Sequence, residues 1–270
     1  MASSSAPRVR LVVQAHGADL RSIECHRVVT LLGTRRGCKL TLNHPSVSPV
    51  HLALVNNGEQ VYAIDLVTQN GSRLNGLKLE HERVNDGDML EVPPWHFRID
   101  IGPSSENSDG QEVFELEPSP RVVALEHVAT GRILQANREH CVIGRQPGCD
   151  IHLDDDRVSR AHALLFKYRG FPVLCDLLSK FGTLVNGVPL QFAVLKNGDL
   201  LSMGNTQFKV RFVGSAISEG AAPKNGVRLV TEQPFENGNG NGHGPDLIDI
   251  AAVDSAARWD IADAVRVRAG

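Results

Sequence analysis

From Gly33 to Phe97 the chain repeats itself at one constant offset of 111 residues (Gly33 to Gly144), with no insertion or deletion. The offset carries Cys38 to Cys149, Ser48 to Ser159, His51 to His162 and Asp65 to Asp176. It also carries Gly71 to Gly182, Asn75-Gly76 to Asn186-Gly187, Gly87-Asp88 to Gly198-Asp199 and Phe97 to Phe208. A match of this length is a duplicated domain rather than a solenoid unit, whose period runs to about 20–50 residues. Whatever fold one copy takes, the other takes with its turns and core at equivalent positions.

The spacing within each copy is that of β-structure. Runs rich in Val, Ile, Leu and Phe (Val9 to Val13, Val28 to Leu32, Val61 to Asp65, Val122 to Leu125, Val173 to Asp176, Phe208 to Phe212) are separated by Gly, Asn, Asp and Pro. Asn75-Gly76 and Asn186-Gly187 are hairpin signals, because both central residues of a tight two-residue turn need positive φ. Asp86-Gly87 and Asn197-Gly198 predict a second turn before the last strand pair. The fold class expected is all-β: two antiparallel sandwiches in tandem, followed by a flexible tail with a C-terminal amphipathic helix. The 270 residues divide into a flexible start (1–7), a first domain (8–101), a linker (102–120), a second domain (121–213), a Gly/Asn-rich linker (214–245) and a helix (246–268). The helix rests on Ile250, Val253, Ala257, Ile261 and Val265 recurring at helical spacing. Docked on its own domains or offered to a partner, such a helix serves either role.

A net charge of −3 argues against a general nucleic-acid binder, and no basic face is interleaved with aromatics. Five cysteines without C-x-x-C spacing build neither a disulfide framework nor a zinc site; small core residues in a reducing compartment are the expectation. No segment has the length or apolarity of a signal peptide or a membrane span, so a soluble cytoplasmic protein is expected. His152 with Asp154 and Asp155 is read as a solvated acidic turn rather than a metal site. No cofactor is called for, since no glycine-rich nucleotide loop is present.

In the second copy Gly144-Arg145 follows an apolar run. Ser159-Arg160-Ala161-His162 precedes the next strand, and Ser179-Lys180-Phe181-Gly182-Thr183-Leu184-Val185-Asn186-Gly187 closes on the hairpin turn. This order resembles the forkhead-associated (FHA) domain. The first copy keeps the frame in weaker form, with Gly33, Ser48, His51 and Asn70-Gly71-Ser72-Arg73-Leu74-Asn75-Gly76.

The resemblance implies a sandwich whose loops at one end bind a phosphothreonine in a partner protein, a Ser/Thr kinase or its substrate, with no catalysis. Chemistry agrees: a phosphate dianion needs donors without acceptor capacity, and a guanidinium offers a planar fork to two oxygens. Arg145 is expected in that role, Ser159 as a hydroxyl donor, and Arg160 and Lys180 as charge at the rim. The resemblance makes Gly144, His162, Gly182, Thr183, Asn186 and Gly187 structural. Phe181 stands where the family carries an Asn that bonds the peptide backbone, so selectivity for flanking residues is altered. A Ser159–His162 pair invites a nucleophile reading, yet has no orienting acid in view.

The first copy keeps Asn70, but Thr34 replaces the arginine and Pro49 follows Ser48. Its site, built from Thr34, Arg35, Ser48, His51 and Asn70, is degenerate. Arg35, Arg36 and Arg73 are candidates to reach inward, and Trp95 fits either a protein-binding surface or a partly buried edge. The competing function is a phosphate-independent scaffold in which the sandwiches and tail mediate assembly. Thr231 in the tail is a candidate for occupying the Arg145 site in cis.

Overall fold

A computed structural model of the protein describes residues 6–15, 18–103, 122–136, 138–213, 248–251 and 265–267. The chain divides into two compact units, Met1–Gln111 with Phe235–Gly270, and Glu112–Pro234. Among the described residues every element is a β-strand. The expected linkers beyond Pro103 and beyond Val213, and with them Thr231, lie outside the described residues.

The first unit contains β1 (Arg8–Ala15), β2 (Ala18–Cys25), β3 (Val29–Gly33), β4 (Leu40–Asn43), β5 (Leu52–Asn56) and β6 (Val61–Asp65). It continues with β7 (Ser72–Leu74), β8 (Leu77–Leu79), β9 (His81–Val84), β10 (Met89–Val92) and β11 (Trp95–Gly102). The second contains β12 (Val122–His127), β13 (Ile133–Gln135), β14 (His140–Gly144), β15 (Ile151–His152) and β16 (Ala163–Tyr168). Its remaining strands are β17 (Phe171–Asp176), β18 (Thr183–Val185), β19 (Val188–Pro189), β20 (Phe192–Val194), β21 (Leu200–Met203) and β22 (Thr206–Val213).

Each unit has two sheets of the same connectivity. The order β2-β1-β11-β10-β7-β8 recurs as β13-β12-β22-β21-β18-β19, and β4-β3-β5-β6-β9 recurs as β15-β14-β16-β17-β20. Register is preserved as well: Leu32 faces Leu52 and Ile143 faces Ala163, while the parallel contact Gly33 to Thr41 recurs as Gly144 to His152. A one-residue slip would turn each strand's apolar set outward, so the conserved apolar alternation holds the register. β10 and β21 both alternate half-buried and buried residues.

The cores follow the duplication. Leu11, Leu32, Leu52, Leu90 and Phe97 pack in one cluster, and Leu125, Ile143, Leu201 and Phe208 in the other. Trp95 is buried in the first core with its ring edge-on to His44, 5.9 Å between centroids, so it offers no partner surface. All five cysteines are buried and free. Burial, with Asp176 adjacent, pushes the Cys175 thiol up to about 12, leaving it inert at neutral pH.

The helix expected over 246–268 is corrected at both ends. Ile248–Ala251 (β23) and Val265–Val267 (β24) are strands, and β23 adds to the open edge of β4 in parallel, Ile248 facing Leu40. An exposed strand edge offers unpaired backbone groups, and the β-branched Ile248, Ile250, Val265 and Val267 favour the extended chain over a helix. Residues 252–264 lie outside the described residues. No helix among the described residues is long and apolar enough to cross a membrane.

Candidate functional site

Gly144 ends β14 because nothing larger fits. A Cβ there would stand 2.0 Å from the carbonyl oxygen of Arg160, and one on Gly33 would stand 2.3 Å from that of Pro49. This close approach lets Arg145 lie against the segment before β16. Its backbone N–H donates to Ser159 O at 2.9 Å, and its Nε donates to Val158 O at 3.1 Å. One edge of the guanidinium is thereby fixed. Among the described residues no carboxylate lies within ion-pair distance of Arg145, Arg157, Arg160 or Lys180.

Ser159 is held on three sides. Its N–H donates to His162 Nδ1 at 3.0 Å, its carbonyl accepts from Arg145, and its Oγ accepts the Lys180 backbone N–H at 3.0 Å. The hydroxyl proton is left to donate to a ligand.

His162 is fully buried. A backbone N–H can only donate, so Nδ1 carries no proton and Nε2–H faces Gly182 O at 3.2 Å. Burial pulls its pKa below the ordinary histidine value, outweighing the nearby Asp176 carboxylate. A neutral imidazole whose only lone pair is spent on a backbone N–H cannot deprotonate Ser159, so the nucleophile reading fails on geometry. His162 is a post joining two loops.

The second loop, between β17 and β18, is organised by Asp176. One carboxylate oxygen accepts the Ser179 N–H at 2.7 Å; the other accepts Ser179 Oγ at 2.6 Å and the buried Thr183 hydroxyl at 2.7 Å. The chain then passes through Leu178 (φ 56°) and Gly182 (φ 77°), left-handed conformations that turn Lys180 and Phe181 outward. Phe181 is 55% exposed. Lys180 Nζ lies 5.2 Å from its ring centroid, and the guanidinium carbon of Arg157 lies 5.9 Å from it.

The fold therefore gathers Arg145, Ser159, Lys180 and Phe181 at one end of the second sandwich, with the exposed Arg160 beside them. Gly144, His162, Gly182 and Thr183 lie beneath. Asn186 and Gly187 (φ 52° and 79°) form the β18–β19 turn instead, where Asn186 bonds Asp199 and Leu200.

Two residues, Asp176 and Arg157, receive no role from spacing, and a third, Asp155, reads only as part of a solvated turn. Asp176, with Asp65, was visible as a repeat match; an Asp three residues before Ser or Thr is the signature of a side chain closing its own turn. Asp155 does not sit in a free acidic turn. It accepts the Arg157 N–H at 2.9 Å, the Asn205 N–H at 2.7 Å and the Thr206 hydroxyl at 3.0 Å. Burial pushes its carboxyl up, but these bonds together hold it below the ordinary carboxylate value. His152 Nε2 meets the Arg145 carbonyl at 3.0 Å. The relation of Arg157 to Phe181 is one that no local spacing reveals.

The first sandwich keeps this frame. Thr34 N–H donates to Ser48 O at 3.1 Å, Ser48 N–H donates to His51 Nδ1 at 3.0 Å, and Asp65 accepts from Thr68 and Ser72. Its cations are gone: Arg145, Arg157, Arg160 and Lys180 correspond at the 111-residue offset to Thr34, Ser46, Pro49 and Gln69. Asn70 turns its amide onto Ser46 O at 2.7 Å. Arg73, a candidate to reach inward, is instead committed to the Gly76 carbonyl of its own hairpin at 3.1 Å. The Arg35 N–H donates to Pro49 O at 2.9 Å, and Arg36 is exposed.

Two paired-sheet sandwiches share a Gly, Ser-x-x-His and Asp-anchored loop frame, and the second alone carries it as Gly-Arg, Ser-Arg-x-His and Gly-Thr. The FHA domain family matches residues 30–93 and 141–204, and the chain belongs to it. The chain is 43% identical over 70 residues to the glycogen accumulation regulator GarA of Mycolicibacterium smegmatis, covering 26% of this chain and 43% of that protein. It is 30% identical over 123 residues to the oxoglutarate dehydrogenase inhibitor of Corynebacterium diphtheriae, covering 43% of this chain and 85% of that protein. An FHA domain solved in a structural and functional study of phosphothreonine-dependent interactions is 32% identical. That match covers 35% of this chain and 99% of that one, with a TM-score of 0.33.

Proposed function

We propose that this chain is a non-catalytic adaptor in Ser/Thr kinase signalling, binding phosphothreonine segments of a kinase or its substrate through its second sandwich. The observation that carries this is Arg145: its Nε is pinned to Val158 O and no carboxylate among the described residues pairs with it, beside a Ser159 hydroxyl free to donate. Arg160 and Lys180 add charge at the rim. Each hydrogen bond to a charged group is worth about 1.5–3 kcal/mol, and a micromolar complex has about −8 kcal/mol in all, so two or three such contacts make binding depend on the phosphate. The similarity to proteins named as a regulator and as an inhibitor supports a regulatory binder.

The first sandwich has no cation at the four equivalent positions, which favours a structural or phosphate-independent role for it. Titration of the full chain with a phosphothreonine peptide tests the proposal. Arg145→Ala is expected to weaken binding ten- to a hundredfold, about 1.4–2.7 kcal/mol. Equal affinity for the unphosphorylated peptide refutes it. Association that survives both Arg145→Ala and phosphatase treatment favours the scaffold reading.

A further inference from the structure

The two sandwiches treat the same sheet edge differently. In the second, β15 is two residues long and side chains close the edge. Asp150 accepts the Val142 N–H at 2.8 Å, with Arg138 Nε 3.5 Å from its other oxygen, and His152 Nε2 meets Arg145 O at 3.0 Å. Charged side chains on an edge keep a sheet from recruiting further strands. In the first sandwich Lys39 stands at the position of Asp150, and an ammonium accepts no hydrogen bond. That edge is closed by a strand instead: β23 pairs with all four residues of β4, from Ile248 opposite Leu40 to Ala251 opposite Asn43.

The register makes this pairing selective. Residues facing one another across a ladder share a side of the sheet. Leu40 and Leu42 are buried in the first core, so Ile248 and Ile250 fall on the core side, while Asp249 falls with Thr41 on the other. β24 follows the same rule: Val267 faces Ile248, Val265 faces Ile250, and Arg266 faces Asp249 on the outer side. Both tail strands therefore alternate apolar and charged residues in phase with β4. A slip of one residue would bring a charge to the core side.

We propose that the β4 edge is a strand-docking site whose ligand is the C-terminal segment of the same chain. The first sandwich, with no cation at the four phosphate-site positions, binds through backbone hydrogen bonds instead. The tail covers an edge that would otherwise recruit strands from other chains. Residues 214–247, Gly/Asn-rich in sequence, form the tether. A flexible tether gives an effective concentration on the order of 1 mM. A segment whose Kd as a free peptide is about 0.1 mM then keeps the edge closed about ten times as often as open. The inference concerns the first sandwich and goes beyond the phosphothreonine reading, on which it does not depend.

The test compares the full chain with the variant Asp249→Pro, Ile250→Pro. Neighbouring strand residues bond to opposite sides, so one proline removes a donor directed at β4 and the other a donor directed at β24. By amide hydrogen exchange, the Leu40–Asn43 amides that face β23 should exchange about tenfold faster in the variant, with β16 and β17 unchanged. A labelled peptide of residues 245–270 should bind the variant with a Kd of about 0.1 mM by anisotropy, and the parent about tenfold more weakly because its edge is filled. The same peptide carrying both prolines should bind neither. Unchanged exchange in β4, or equal peptide affinity in parent and variant, overturns the inference. So does displacement of the peptide by excess phosphothreonine peptide, which would place it at the Arg145 loops. A parent that sediments as a dimer beside a monomeric variant gives the strand to a second copy and overturns the assignment to the same chain. Arg145-dependent binding of a phosphothreonine peptide is measured separately, so either reading can fail alone.

Discussion

Replacing Asp176 by alanine removes one acceptor from three donors: the Ser179 N–H, the Ser179 hydroxyl and the Thr183 hydroxyl, at 2.6–2.7 Å. The three losses are unequal. Ser179 is half-buried and can turn to water, whereas Thr183 is 2% exposed and its hydroxyl is left without that partner. An unsatisfied buried donor costs about 1–3 kcal/mol. Loosening the Ser179 turn adds about 1 kcal/mol more, partly offset because a carboxylate no longer has to be desolvated. The second sandwich should lose about 2–4 kcal/mol, a large share of the 5–15 kcal/mol typical of a domain. Amide hydrogen exchange on the full chain reads this locally. Core amides of β16, β17 and β22 should exchange about 30- to 1000-fold faster, with those of the first unit as internal reference. Asp176→Asn, which keeps an acceptor oxygen and the volume, should cost about 1 kcal/mol. An exchange rate changed by less than about threefold in Asp176→Ala would refute the idea that this carboxylate organises the loop.

Other outcomes follow from the same geometry. Gly144→Ala must drive apart two backbone segments, since its Cβ would meet Arg160 O at 2.0 Å; a loss of at least about 2 kcal/mol in urea denaturation is expected, together with weakened phosphopeptide binding. Thr34→Arg with Pro49→Arg should graft a phosphate site onto the first sandwich, because the Thr34 N–H already meets Ser48 O as that of Arg145 meets Ser159 O. In an Arg145→Ala background, regained binding by anisotropy supports this, and none contradicts it. His51 and His162 both have pKa values lowered chiefly by burial. Below about pH 6.5 the unfolded chain therefore binds protons that the folded chain refuses. Their contribution to stability is present above that pH and is lost as pH falls through the depressed folded values. Urea midpoints should drop between pH 7.5 and pH 5, and a constant midpoint would contradict the neutral, buried assignment.

Much of this was legible in one dimension because it depends on neighbours along the chain. The 111-residue repeat fixed two sandwiches of one topology, and Asn75-Gly76 and Asn186-Gly187 fixed their hairpins, since only such pairs accept two successive positive φ values. The contrast between Arg145 and Thr34 already marked the copies as chemically unequal. At the ends of the C-terminal stripe the chain is extended rather than helical, because periodicity cannot register that the β4 edge offers backbone partners to Ile248–Ala251.

What only the folded chain decided is how side chains distant in sequence meet. Asp155 and Asn205 are 50 residues apart, and their bond holds the turn bearing Arg157. The protonation of His162 was set by a backbone N–H aimed at Nδ1, which removed the catalytic reading that Ser159 and His162 invite in a bare sequence. Phe181 reads in one dimension as a lost hydrogen bond; in three dimensions it is a platform between two cations. Strand registers repeat with the local pattern, but the charge and freedom of a binding loop depend on which groups the packed sheets bring within a few ångströms of one another.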